Sequence, residues 1–144
     1  MQEPFNLERF VSAQADVFPQ VLDELRAGRK RSHWIWFIFP QMKGLGRSSL
    51  AIHFGIGSLE EAVAYLRHPV LGPRLGQCTQ LDTLVEGRTI REILGAPDDL
   101  KFRSSMTLFA RAAEEAGVDA TGFNDALAKY FGNEADPLTV ETLR

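Results

Sequence analysis

The side chains that could bind or react are concentrated in two stretches, 30–48 and 99–107. The first opens with the basic triplet Arg29-Lys30-Arg31 and continues through His33, Trp34, Gln41 and Lys43 to Gly44-Leu45-Gly46-Arg47-Ser48. A Gly-x-Gly turn ahead of a helix can bring backbone N–H groups close to a phosphate, with the helix N-terminus favouring the negative charge. Arg47 would add a cation and Ser48 a hydroxyl. A full phosphate loop needs two glycines five apart with Lys-Ser/Thr behind them, and a dinucleotide fingerprint needs a third glycine. Neither is present, so a tight turn followed by a serine N-cap is the favoured reading of this stretch.

The second stretch is Asp98-Asp99-Leu100-Lys101-Phe102-Arg103-Ser104-Ser105-Met106-Thr107. Three hydroxyl residues inside a helix are unusual, because serine and threonine are indifferent helix formers. Close helix packing is the favoured cause, and a polar pocket in which Lys101, Ser104 and Ser105 meet a ligand is the alternative. Lys101 and Ser105 are four apart and share a helix face. A lysine can activate a serine, but the known order is Ser-x-x-Lys, and here Lys101 precedes Ser104. His33 stands between a cationic turn and an apolar run, where proton transfer is conceivable. The catalytic candidates are therefore His33, Lys101 and Ser104.

If the two stretches face each other, Lys30, His33, Arg47 and Lys101 supply positive charge. Trp34, Gln41, Gly44, Gly46, Ser48, Asp99, Ser104 and Ser105 complete the lining. The expected ligand is a phosphate-bearing small molecule, nucleotide-like, in a binding or enzymatic domain. The competing expectation is a protein-interaction or regulatory module without chemistry. A third is local nucleic-acid binding through the turn at 29–31. That third reading is weakened because Trp36, Phe37 and Phe39 belong to an apolar run that must fill the interior and cannot also stack bases.

The elements that must position these residues read as helices. Leu7, Phe10, Val11 and Ala15 recur at helical spacing behind Asn6, a candidate N-cap, and Phe18, Val21, Leu22 and Leu25 do so ahead of Gly28. Ser58 with Glu61 and Thr89 with Glu92 have capping-box spacing. Leu71, Leu75, Cys78, Leu81 and Val85 line a helix stopping at Gly87. Phe102, Met106, Phe109, Ala110 and Ala113 share a face that closes near Gly117. Phe123, Ala126, Leu127 and Tyr130 follow, and Asp136-Pro137 caps a short last helix. The run from Ser32 to Pro40 fits no period. With no second strand to pair it, it is expected to be a buried central helix ended by Pro40. The fold class is all-α, a single domain of about seven or eight helices around that aromatic segment.

Composition supports one ordinary globular domain: 144 residues, 44% hydrophobic and 24% charged, enough to bury a core without disulfides. A net charge of −3 leaves no global footprint for nucleic acid. No apolar run approaches the roughly 20 residues needed to span a bilayer. The one cysteine, Cys78, lies on an apolar stripe and reads as a small buried hydrophobe. The three histidines show no ligand spacing, so no metal or cofactor is expected. The acidic Glu114, Glu115, Asp119 and Asp125 read as solvated faces and caps. A cytoplasmic location is expected.

Several of these stretches, as they stand, also form a family pattern. They include Arg9-Phe10 with Ala13-Gln14, Gly28-Arg29-Lys30, and His33-Trp34 through Phe39-Pro40-Gln41. Gly44-Leu45-Gly46-Arg47-Ser48, Ala64-Tyr65-Leu66, His68-Pro69-Val70-Leu71-Gly72 and Asp98 through Phe109 continue it. On them the chain resembles the uncharacterised bacterial family catalogued as domain of unknown function 1810, from Phe5 to Phe131. The resemblance implies a small, mainly helical protein and supplies no catalytic residue. Some members carry a calpastatin-like label, which has no purchase here because such inhibitor segments are disordered.

Overall fold

The computed structural model describes residues 4–144, which form ten helices and no strand. They are α1 Glu8–Ala15, α2 Phe18–Ala27, α3 Ile35–Ile38, α4 Ser49–His53 and α5 Leu59–Arg67, followed by α6 Leu71–Leu84, α7 Ile90–Leu94, α8 Asp98–Ala116, α9 Thr121–Phe131 and α10 Pro137–Thr142. The fold is all-α as the periodicity requires. The count exceeds the expected seven or eight, and four of the ten, α3, α4, α7 and α10, run only four to six residues.

Helix α8 is the axis. All seven residues from Ser104 to Ala110 are buried, and at 100° per residue they cover every face of the helix. α5, α9, α7, α10 and α3 pack around it, while α6 bridges α9, α5 and α2. The aromatic run is helical as expected, but for one turn only. Phe39 stacks edge-on to Phe102 of α8 with centroids 4.8 Å apart, and Pro40 follows. Trp36 and Phe37 remain half-buried, so the run is less enclosed than its apolarity suggests.

Local signals set most of the boundaries. Gly28, Gly117 and Gly132 end α2, α8 and α9 in the left-handed region. Thr89 and Glu92 form a reciprocal capping box, and Asp136 caps α10. Two expectations are corrected. Asn6 is not the cap of α1; Leu7 holds that position without a side-chain bond, and Asn6 sits at φ +52°. Ser58 does accept from the Glu61 N–H, but Glu61 turns its carboxylate to the Gly57 N–H and to Arg9, at 2.7 Å. That diversion ties α1 to α5: Arg9 also donates to the carbonyls of Phe5, Asn6, His53 and Gly55.

Glu24, on α2, fixes the turn that leads into α3. Its carboxylate accepts from the Arg31 and Ser32 N–H groups (2.7 and 3.0 Å), the Ser32 hydroxyl, Gln20 Nε2 and the Trp34 indole N–H (3.0 Å). Burial pushes this carboxyl up. The bonds from Ser32, Arg31 and Trp34 more than offset that and hold it down at about 2.

Two outcomes follow from this packing. Because the Glu24 carboxyl is lowered in the fold, its contribution is complete above the unfolded value near 4.3 and is lost as pH falls through about 2. Glu24→Gln should therefore cost roughly 2–3 kcal/mol at neutral pH and flatten the acid limb of a urea stability–pH profile. An unchanged acid limb would contradict the role given to Glu24. Glycines of α6 should also separate by position. A Cβ at Gly72 would fall 2.2 Å from the Leu66 carbonyl oxygen, whereas one at Gly76 meets nothing. Gly72→Ala should cost about 1–3 kcal/mol and Gly76→Ala should gain roughly 0.5–1, read from denaturation midpoints.

Candidate functional site

The two polar stretches do meet. The turn pinned by Glu24 delivers Lys30 to the first turn of α8, where its Nζ lies 2.9 Å from Asp98 Oδ2, and its own N–H donates to the Ile93 carbonyl. The Lys30 side chain is only 7% exposed and sits 5.2 Å from the Trp34 ring. Lys101 approaches the other oxygen of Asp98 at 3.6 Å and stands 5.1 Å from the ring of Trp36. Two lysines, two indoles and one carboxylate thus interleave where α3 meets α8.

The space between the stretches is small. Ile35, Trp36, Phe39, Gln41, Ala51, Phe54, Gly55 and Lys101 enclose a notch of about 10 Å3, room for a single water-sized group. Trp36 Nε1 is buried without a hydrogen-bond partner, and the Gln41 amide makes no hydrogen bond among the described residues. An indole N–H and an ammonium can only donate, and the Gln41 amide brings donors as well as one acceptor, so donors outnumber acceptors among these side chains.

Most of the remaining candidates have internal tasks. Trp34 is buried with its N–H on Glu24, so the indole at the notch is Trp36 and not Trp34. Ser48 caps α4 by accepting from the Ala51 N–H at 3.1 Å. Gly44 takes φ +99°, and a Cβ at Gly46 would lie 2.6 Å from that of Ala51. The glycine pair therefore makes a tight turn and a close approach, closed by Lys43 N–H to Ile56 O and Ile56 N–H to Gln41 O. The helix that follows, α4, is five residues long.

Ser104 turns away from the notch, bonding the Leu100 carbonyl and Asp136 Oδ2 on the α10 side, and so makes no dyad with Lys101. Thr107 bonds back to the Arg103 carbonyl and accepts from the Asp136 N–H. Ser105 is fully buried with an unpartnered hydroxyl, and one oxygen of Asp99 is likewise buried and unpartnered. Neither lines the notch. His33, Arg47, Arg29 and Arg31 are exposed, while the middle member of the basic triplet is buried in its ion pair. Glu24, Asp98 and Trp36 escaped the reading of the residues. The signal for Asp98 was the triplet itself, since a buried cation requires a carboxylate within reach.

A larger concavity lies elsewhere. Leu7, Leu59, Val63 and Ala64 floor an open groove of about 630 Å3 along α5, rimmed by Glu60, Arg67, His68 and Glu115. Among the described residues no cluster of three His, Cys, Asp or Glu side chains could hold a metal ion, and no helix is long and apolar enough to cross a membrane.

Comparison with known proteins agrees with this architecture. The crystal structure of the conserved hypothetical protein Rv1873 from Mycobacterium tuberculosis superimposes with a TM-score of 0.93 at 58% sequence identity, over 98% of each chain. No curated protein matches. A family model, described as protein of unknown function (DUF1810), matches residues 4–143. Spanning nearly the whole chain, that match identifies it: the protein belongs to the DUF1810 family.

Proposed function

We propose that this protein binds a small anionic ligand, phosphate-bearing in the first instance, at the notch formed by Trp36, Gln41 and Lys101. The observation that carries the reading is the buried, unpartnered indole N–H of Trp36 beside a lysine. Leaving such a donor unsatisfied costs about 1–3 kcal/mol, which an acceptor oxygen would recover. The notch has room for one oxygen, so a terminal oxygen enters and the body of the ligand lies outside. A cytoplasmic setting suits a chain whose single cysteine is buried and unpaired.

The α5 groove favours a second reading, a non-catalytic interaction module. It has more room than the notch and an apolar floor with a charged rim. Nucleic-acid binding through the basic turn keeps only Arg29 and Arg31, since Lys30 is committed to Asp98.

The test is a thermal-shift titration with inorganic phosphate, nucleotides and sugar phosphates, followed by tryptophan fluorescence. A ligand at about a hundredfold over its Kd adds roughly 2.7 kcal/mol and raises Tm. Lys101→Ala and Trp36→Phe should each weaken a hit about 10- to 100-fold, the worth of one charge-assisted or buried hydrogen bond. Hits that both variants retain, or no response to any anion, would remove the notch as the site and leave the α5 groove as the working surface.

A further inference from the structure

Asp82, on α6, is completely buried, and neither of its carboxyl oxygens has a hydrogen-bond partner. Its main-chain carbonyl, in contrast, accepts from the Tyr130 hydroxyl of α9. The next residue of α9 toward the N-terminus, Lys129, donates to the Thr83 and Val85 carbonyls, both at 2.6 Å, and lies 3.7 Å from Glu86. These are carbonyls that the end of a helix leaves open, so α9 holds the end of α6 with two side chains.

The groups that act on Asp82 are few. On its own helix there is Cys78, one turn back, with Arg74 a further turn back acting on Cys78; α9 contributes Lys129 and Tyr130, and Glu86, after α6, acts on Tyr130. From α5, Tyr65 faces Cys78. The charges of α2 are engaged elsewhere, Glu24 with the 31–34 turn and Asp23 with Arg26. Lys129 is therefore the cation within electrostatic reach of Asp82, and it is spent on main-chain carbonyls.

We propose that Asp82 is a proton-operated latch on the α6–α9 joint. While protonated, it leaves Lys129 to cap α6. Once ionised, it draws Lys129 off the Thr83 and Val85 carbonyls and releases the segment 83–88. An ionised carboxylate buried without a partner is costly enough to force that exchange. Burial pushes the Asp82 carboxyl up to about 8, with the Lys129 charge opposing it. The folded chain thus keeps a proton that the unfolded chain has lost above about pH 4. The stability this provides is complete below about pH 4 and lost as pH rises through about 8. The released segment packs against the end of α2: a Cβ on Gly28 would lie 3.1 Å from Val85 Cγ1 and 3.5 Å from Arg88 Cδ. Gly28 is where the turn carrying Lys30 begins.

Hydrogen exchange at about pH 6 and about pH 9, corrected for intrinsic rates, reads the latch directly. In the wild-type chain the amides of 83–88 should lose protection about tenfold between these conditions, the factor for ionisation one unit past the midpoint. Asp82→Asn, which keeps the volume but cannot ionise, should show no such loss; if it does not fold, Asp82→Leu serves the same comparison. Lys129→Met should leave the segment poorly protected at both values. Equal losses in the wild type and the Asp82 variant, an unchanged wild type, or a full wild-type loss in Lys129→Met would each overturn the proposal. Phosphate binding plays no part in these readouts, so the latch and the notch fail separately.

Discussion

The enclosure of α8 governs the molecule. A helix exposed on one side can turn its polar residues to water, but seven consecutive buried residues leave α8 no such side. Each polar group on it must find a partner in the chain or remain unsatisfied at a cost of about 1–3 kcal/mol. Close approach by five neighbouring helices also demands small side chains on its flanks, and Ser104, Ser105, Ala110, Ala112 and Ala113 provide them. The hydroxyls then become a problem for the packing to solve. Ser104 and Thr107 solve it by bonding back one turn and holding Asp136, which anchors α10. A cluster that resembles a ligand pocket in sequence is, in the fold, the means by which a short terminal helix is attached.

The same requirement shapes the entrance to α3. Lys30 is drawn under cover by Asp98 at the start of α8, and the chain around it must be rigid enough to keep the pair in register. Glu24 supplies that rigidity from α2, taking up donors from the whole turn at once. One carboxylate organises the backbone and a second neutralises the lysine. Lys30 is thereby withdrawn from the positive potential that the basic triplet suggests, so what remains for a ligand comes from Lys101 and the exposed arginines.

Local features were legible in the sequence because they depend on few residues. The glycine ends of α2 and α8, the Thr89–Glu92 box and the Asp136 cap are each decided within a turn of chain. The reading of Gly44 to Ser48 as turn plus cap also succeeded, because φ and capping are local. The choice between the two tryptophans failed for a different reason. Trp34 and Trp36 are two residues apart at a single helical turn, so they diverge, and periodicity over four residues cannot say which faces inward. Glu24, ten residues before Trp34, decides it by accepting the indole N–H. Asn6 failed likewise: the entry into α1 is set by Arg9 gathering carbonyls from two segments, not by a capping side chain.

The two lysines on Asp98 are not equivalent, and the difference bears on whether so small a notch can serve a ligand. Lys30 is almost fully covered and lies at 2.9 Å, so removing it would leave a carboxylate without its main partner, at a cost of about 3–5 kcal/mol for a buried pair. Lys101 is more exposed, at 23%, and its distance of 3.6 Å is long for a charge-assisted bond. A pair of that kind is worth about 1 kcal/mol at most, and the contact with the Trp36 ring adds about 0.5–1. Swinging Lys101 outward therefore costs little beside the several kcal/mol of a modest ligand affinity. Since Lys101 is itself one wall of the notch, its movement would widen the space, while Lys30 keeps Asp98 neutralised. The fixed lysine makes the movable one available, and an incoming anion would compete with Asp98 for Lys101 alone.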